Sequence, residues 1–243
     1  VEAYATEIGI LLKSIKLARK ELKNWAKTKQ VETPLYLFPT KSYIKNEPYG
    51  TVLIIGPFNY PVQLVFAPLI GAIAAGNTAI VKPSELTPNA TEVIEDIIQD
   101  TFEENYISVI KGGIEETQTL INLPFDYMFF TGSEKVGQIV YESAARNLVP
   151  VTLELGGKSP VIIDQTANLK VASERISFGK FTNAGQTCVA PDYILINRKV
   201  INDFIKAQRQ TITEFYGENI KESPDFGRIV NKKHFNRLNE LLE

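Results

Sequence analysis

A chain of 243 residues with 44% hydrophobic and 22% charged side chains has the composition of a folded globular protein, which excludes a disordered one. Its 26 basic and 28 acidic residues leave a formal charge of -2 with Lys and Arg scattered along the chain, so no basic block calls for a nucleic-acid partner. The single Cys excludes an internal disulfide, no basic-then-apolar leader opens the chain, and no apolar run reaches the length of a bilayer span, which together predict a reducing, cytoplasmic setting.

Ile8, Leu11, Leu12, Ile15, Leu22 and Trp25 recur at helical spacing between Lys and Glu, predicting an amphipathic helix packed on a core. Residues 36–46 alternate loosely around Pro39 and read as an edge strand or hairpin arm, of a kind that often joins subunits. From Thr51 to Ile55 the β-branched run T-V-L-I-I predicts a parallel strand buried on both faces, ended by G-P-F-N-Y-P. Gln63 to Ala75 reads as an apolar helix stopped by Gly76-Asn77. A second buried strand, Thr78 to Val81, leads through K-P-S-E-L-T-P into a helix over Asn89 to Asp100. Ile107 to Ile110 and Tyr127 to Phe130 are further strands, with a helix around Glu115 to Leu120 between them. This alternation predicts a doubly wound α/β fold, which binds ligands at the carboxyl ends of its strands. The chain starts without Met, and Leu238, Leu241 and Leu242 keep helical spacing with no cap after them, so both ends are expected to be cut from a longer protein.

Five segments carry chemistry-bearing residues. In F-F-T-G-S-E-K-V-G, residues 129–137, Ser133 is a good N-cap, and the helix start it opens favours a phosphate, with Gly132 and Gly137 allowing close backbone approach. The spacing is not G-x-G-x-x-G, and a capped turn without a ligand explains it equally well. In V-K-P-S-E, residues 81–85, Lys82 and Glu85 stand where a dinucleotide's ribose lies, against the alternative of a solvated Lys and a first-turn Glu. In V-T-L-E-L-G-G-K, residues 151–158, Glu154 interrupts an apolar strand. A buried carboxylate there has a raised pKa suited to a general base, whereas an edge strand would turn it to water. Gly156 and Gly157 would let the backbone lie against a flat ligand. Cys188 follows the loop-like N-A-G-Q-T, so the thiol is either an accessible nucleophile or, as lone cysteines commonly are, a small buried hydrophobe. In G-P-F-N-Y-P, residues 56–61, the Asn59 amide is placed to donate to an oxyanion, or only to its own turn. His234, the only histidine, is expected at the surface and leaves little for a zinc cluster or a Cys-His pair.

Taken in order, G-P-F-N-Y-P, A-G-N-T-A-I-V-K-P-S-E-L-T-P, F-F-T-G-S-E-K-V-G, L-E-L-G-G-K-S-P and F-T-N-A-G-Q-T-C resemble the motifs of the aldehyde dehydrogenase superfamily. N-E-P-Y-G and N-K-K-H-F-N-R-L look most like its class 3 branch. The resemblance implies a Rossmann-like NAD(P)-binding domain over 1–154, with an arm near 33–47, followed by the first part of an α/β catalytic domain over 155–243. It makes Cys188 the nucleophile, Glu154 the general base and Asn59 the oxyanion donor alongside the Cys188 N–H. Lys82 and Glu85 match the adenosine-ribose contacts and Gly132 and Ser133 the pyrophosphate turn. Gly137, Pro57, Leu155 and Gly156 join the cofactor set, and Tyr60 and Gln63 lie near the substrate mouth.

The implied reaction is oxidation of an aldehyde to an acid through a thiohemiacetal and a thioester, with NAD or NADP as cofactor. Glu85 favours NAD, because its carboxylate repels a 2′-phosphate. A homodimer is implied for the full-length protein. The family's later phenylalanine-flanked glutamate and its dimerisation strand are expected to lie beyond Glu243. A relative that binds dinucleotides without turnover is the rival reading. An acylating relative that hands the thioester to coenzyme A or phosphate is disfavoured by Glu154, which activates water.

Overall fold

In the computed structural model, which describes residues 2–243, a π-helical turn over Tyr4–Ile8 runs into α1 (Gly9–Trp25). Leu11 is the one buried residue of α1, while Leu12, Ile15, Leu22 and Trp25 are exposed. The predicted helix is therefore present, but most of its apolar stripe does not reach a core. The arm that follows pairs β1 (Lys29–Val31) with β2 (Ser42–Ile44) in an antiparallel ladder, Lys29 opposite Ile44. A 3-10 turn at Leu35–Leu37 and the cis Phe38-Pro39 bond lie between the two strands. The polar strand β1 carries no alternating signal and is not predicted.

The central sheet is built from β3 (Thr51–Ile55), β4 (Thr78–Lys82), β5 (Ile107–Val109), β6 (Tyr127–Thr131) and β7 (Val151–Glu154), all parallel, in the order β5-β4-β3-β6-β7. The chain starts at the middle strand, winds to one edge, then returns to the other side of β3, so the topological switch point lies between β3 and β6. Helices α2 (Gln63–Ala74), α3 (Pro88–Thr101), α4 (Ile114–Ile121) and α5 (Glu134–Arg146) connect the strands. Val52 and Ile54 of β3 join Val65 and Leu69 of α2 and Ile94 and Ile98 of α3 in one cluster. Leu53 and Ile55 alternate with them and are buried as well, so β3 is covered on both faces. Each such side chain contributes about 1.5–3 kcal/mol on burial. Close approach is built in at Gly56, where an added Cβ would stand 2.3 Å from Val65 Cγ2.

By its internal contacts the chain divides into two compact units, Val1–Glu154 and Leu155–Glu243. In the second, β8 (Ser159–Ile163) and β9 (Pro191–Ile196) pair in parallel through the crossover helix α6 (Leu169–Phe181). Helix α7 (Ile201–Tyr216) packs along α6, and α8 (Lys232–Glu240) follows. Polar side chains bridge the α6/α7 seam: the Ser173 and Thr211 hydroxyls are 2.8 Å apart, and Gln208 Nε2 donates to Ser177 Oγ at 2.6 Å, while Gln208 Oε1 is buried without a protein partner.

The loop before α4 shows how the first unit fixes its turns. Gly112 has φ +143°, where a side chain is strained and a Cβ would sit 2.3 Å from Glu116 Cγ. The Glu116 carboxylate accepts from the Gly113 N–H at 2.6 Å. Hydrogen bonds from its own N–H and that of Gly113 hold the Glu116 carboxyl below its ordinary value of 4.5, aided by the charge of Lys82. A depressed carboxyl stabilises the folded state above its ordinary value, and that contribution is lost as pH falls through the depressed one. Glu116→Gln should therefore lower the urea midpoint at neutral pH, with the gap from the parent closing as pH falls below 4.5. A gap that stays constant into acid contradicts this role.

Candidate active site

Parallel pairing brings the motif residues of the first unit to one edge. Ile55 is level with Lys82 on one side and with Phe130 on the other, and Thr131 is level with Glu154. Two main-chain bonds lock these ends together: Gly56 N–H donates to Lys82 O at 3.0 Å, and Gly132 N–H donates to Glu154 O at 2.9 Å. Asn59, Tyr60 and the buried Pro57 lie in the bend that leaves β3, and Gln63 opens α2 behind them. The Glu7 carboxylate caps that helix from a distance in sequence, accepting from Val62 N–H at 2.8 Å and Gln63 N–H at 3.0 Å. Nothing in the sequence marks this contact, because the two partners are more than fifty residues apart.

Lys82 is not the solvated residue of the alternative reading. Its side chain is 3% exposed, and Nζ donates to Pro83 O and to Glu85 Oε2, each at 3.1 Å, while the Glu85 carboxylate remains 46% exposed. A buried ammonium needs such partners. Ser133 caps α5, accepting from Val136 N–H at 3.4 Å, and Gly137 is buried inside that helix. Gly132 is required by its neighbour, since a Cβ there would come within 2.5 Å of the Phe130 ring. The same strand end reveals a residue that the sequence reading missed. Thr131 Oγ1 is buried without a protein partner, an orphan of the kind that a ligand satisfies. Its one sequence signal is a hydroxyl closing the apolar run Y-M-F-F-T.

Glu154 is decided by strand order. Of the two readings of its strand, a buried carboxylate or an edge strand that turns it to water, the second is observed: β7 lies at an edge of the sheet and Glu154, its last residue, is exposed. Val151, Thr152 and Leu153 are half-buried and Glu154 alone is exposed at the strand's end, so water supplies its solvation.

The second unit carries Leu155, Gly156 and Cys188. The thiol is exposed, so it is not the small buried hydrophobe of the alternative reading. It follows a 3-10 turn over Thr182–Gly185, in which Asn183 has φ 52°, Ala184 φ 51° and Gly185 φ 78°. Three successive left-handed residues are costly for side chains other than Gly. Gly157 also has a different reason from the one expected: a Cβ there would stand 2.2 Å from Cys188 O, so this glycine makes room for the cysteine loop. Around Gly156 nothing lies within 4 Å of an added Cβ.

His234, expected at the surface, is half-buried at the start of α8, where its N–H donates to Asn231 Oδ1 at 2.9 Å. Burial, then the charges of Arg237 and Lys233, lower its pKa. Among the described residues no group of three His, Cys, Asp or Glu gathers to hold a metal, and no helix is long and apolar enough to cross a membrane. A recess of about 500 Å³ lies instead by Ile98, Phe102, Glu103 and Val109, on the sheet edge opposite β7 and away from the motif residues.

The two glycines give a paired test. Gly157→Ala forces a shift of the cysteine loop and should cost about 1–3 kcal/mol, with a changed rate of Cys188 alkylation by iodoacetamide. Gly156→Ala should leave stability and alkylation close to the parent. Equal effects in urea unfolding and alkylation would remove the role given to the Cys188 carbonyl.

Comparison with known proteins bears on all of these residues. A family model described as the aldehyde dehydrogenase family matches residues 2–243. The chain is 76% identical over 242 residues to the 4,4'-diaponeurosporen-aldehyde dehydrogenase of Staphylococcus aureus, covering 100% of this chain and 53% of that one. It is 46% identical over 243 residues to aldehyde dehydrogenase family 3 member A2 of Macaca fascicularis, covering 100% and 50%. The solved substrate-bound state of Staphylococcus aureus AldH superposes with a TM-score of 0.95 at 76% identity, covering 100% of this chain and 53% of that one. The chain thus spans about half the length of the curated relatives it matches. With the family model matching from residue 2 to the end and the motifs in their expected order, the chain belongs to the aldehyde dehydrogenase family.

Proposed function

We propose that the gene product carrying this chain oxidises an aldehyde to a carboxylic acid with NAD or NADP, using Cys188 as nucleophile, Asn59 as oxyanion donor and Glu154 as general base. The observation that carries this reading is the exposed Cys188 thiol, on a left-handed loop, in a member of the aldehyde dehydrogenase family.

The residues present fit a dinucleotide. The capped start of α5 offers main-chain N–H groups to a diphosphate beside Gly132 and Ser133, and the ordered Lys82–Glu85 pair offers a donor and an acceptor to ribose hydroxyls. Thr131 Oγ1 has hydrogen-bonding capacity that no protein group uses, and Gly156 leaves open space beside the main chain. Pro57, Gly137 and Leu155 complete the set that the resemblance implies. The exposed Glu85 carboxylate favours NAD over NADP by repelling a 2′-phosphate.

In the proposed reaction the Cys188 thiolate forms the Sγ–C bond, and the carbonyl electron pair moves onto oxygen. The Asn59 side-chain amide and the Cys188 N–H donate to that oxyanion. When bound, the nicotinamide supplies the acceptor for the hydride that leaves this carbon as the C=O bond re-forms. Glu154 then takes a proton from water, the hydroxyl adds to the thioester carbonyl, and Sγ departs. The exposure of Glu154 supports this role, since a general base for hydrolysis must meet water. Aldehyde, oxidised cofactor and water yield acid, reduced cofactor and a proton. Tyr60 and Gln63, flanking the Asn59 bend, are assigned to the substrate approach, and a homodimer in the cytoplasm completes the reading. The name of the 76% identical relative adds diaponeurosporen-aldehyde to the substrates to be tried.

The test uses the full gene product with short aliphatic, long aliphatic and aromatic aldehydes and diaponeurosporen-aldehyde, following reduced cofactor by absorbance. Cys188→Ala should abolish turnover while NAD binding persists; unchanged turnover would sink the proposal. Glu154→Gln should keep a first burst of reduced cofactor but lower the steady rate by about 10²- to 10⁴-fold, with free acid as the parent's product rather than an acyl-CoA.

A further inference from the structure

We propose that Gln186 is the positioning residue of the nucleophile loop: its side-chain amide clamps the left-handed turn before Cys188 to the main chain of residues 228–230. This rests on Cys188 being the nucleophile.

The turn is closed by the Gln186 N–H, which donates to Asn183 O at 3.1 Å, but its backbone is strained. Asn183 and Ala184 occupy the left-handed region with Gly185 behind them, and Ala184 has neither the missing Cβ nor the polar side chain that makes such a conformation tolerable. A conformation of this kind persists where its surroundings over-determine it. Gln186 Nε2 donates to Asn183 O and to Arg228 O, each at 3.0 Å, and Gln186 Oε1 accepts from Val230 N–H at 3.0 Å. Both amide hydrogens and the amide oxygen are thus engaged. The pattern requires a donor and an acceptor on one planar group, which Glu, Lys or Leu of similar length does not offer.

The far side of the clamp is itself anchored. Arg228 donates to Lys221 O at 2.8 Å and to Phe226 O, tying its segment into a closed loop. The Phe226 ring packs edge-on against Tyr216 at 5.3 Å and Phe181 at 6.2 Å, and Phe181 is the last residue of α6, just before the turn. Gly227 lies against the turn, since a Cβ there would be in ordinary contact, 3.4 Å from Ala184 N. Gln186 is therefore a polar link between a strained turn and a fixed segment, two residues from the thiol. A displaced thiol loses its attack geometry while the cofactor residues of the first unit are untouched.

The test compares the full gene product with its Gln186→Leu and Gln186→Glu variants. The first removes all three bonds; the second keeps the acceptor for Val230 and loses both donors. Misplacement by about an ångström predicts that the burst of reduced cofactor slows on the order of 100-fold in Gln186→Leu, with NAD affinity and thermal midpoint held. Amide exchange at Val230 should quicken by about tenfold in Gln186→Leu and stay near the parent in Gln186→Glu, although both variants lose burst rate. A parent-like burst overturns the proposal. So does weakened NAD binding in proportion to the lost rate, or unchanged Val230 exchange in Gln186→Leu. If Gln186→Leu does not fold, Gln186→Glu decides on burst rate alone. Cys188→Ala separates the two levels: activity surviving there sinks the nucleophile itself, whereas its loss beside an unaffected Gln186→Leu sinks only the clamp.

Discussion

Parallel pairing in register is the constraint on which the first unit depends. In an all-parallel sheet the chain must return to the same end after each strand, so every strand exits at one edge and every exit loop gathers there. The pairing of Ile55 with Lys82 and Phe130, and of Thr131 with Glu154, puts four separate motifs along that edge without any one of them contacting all the others. A slip of one residue in β6 or β7 would turn Phe130 or Leu153 away from the interior and move Thr131 and Glu154 out of line. The hydrophobic pattern that buries the sheet therefore also aligns its polar ends. The same economy appears at Gly56 and Gly132, where a missing Cβ lets a neighbouring side chain close the core directly beneath a polar turn.

The second unit solves a different problem. A thiol in a regular helix or strand is either buried or directed by the element's own periodicity. A left-handed turn releases it from that periodicity at the expense of backbone strain, which the surrounding segment must offset. Gly157 gives way to the Cys188 carbonyl, and residues 226–230 close over the turn. The α6/α7 seam supplies a stiff base, its hydroxyls and amide paired across helices that approach closely because Ser173 and Ser177 are small.

The strands of the central sheet and the helices that connect them were legible because each carries a local signal. T-V-L-I-I can bury both faces, Ser133 announces α5, and Gly76 closes α2 at φ +83°. What stayed hidden is tertiary. The apolar stripe of α1 reads as core-facing, yet sequence periodicity says only that a face is apolar, not that a partner covers it. The segment around Glu154 fits a buried strand or an edge strand equally, and only strand order, which puts β7 at the edge, decides between them. Gly157 has a constraint the sequence does not show, the Cys188 carbonyl, thirty-one residues away in sequence. The capping of α2 by Glu7 and the clamp of Gln186 share this property: both are side chain to main chain bonds between distant segments, which leave no periodicity to read. The motifs that resembled a family were recognisable as whole strings even where the physical job of each residue was not.

The burial of Lys82 has a chemical consequence beyond its proposed contact with a ribose. Aldehydes condense with amines that can present a free lone pair, so any lysine near a reservoir of aldehyde is liable to form an imine and be consumed. An ammonium at 3% exposure that donates to both Pro83 O and Glu85 Oε2 must break two hydrogen bonds, shed a proton and reach solvent before it can attack a carbonyl. The ion pair that orders Lys82 is in this sense also a shield. It lets a nucleophilic amine sit in a protein proposed to handle electrophiles, with the exposed sulfur of Cys188 as the proposed reacting group.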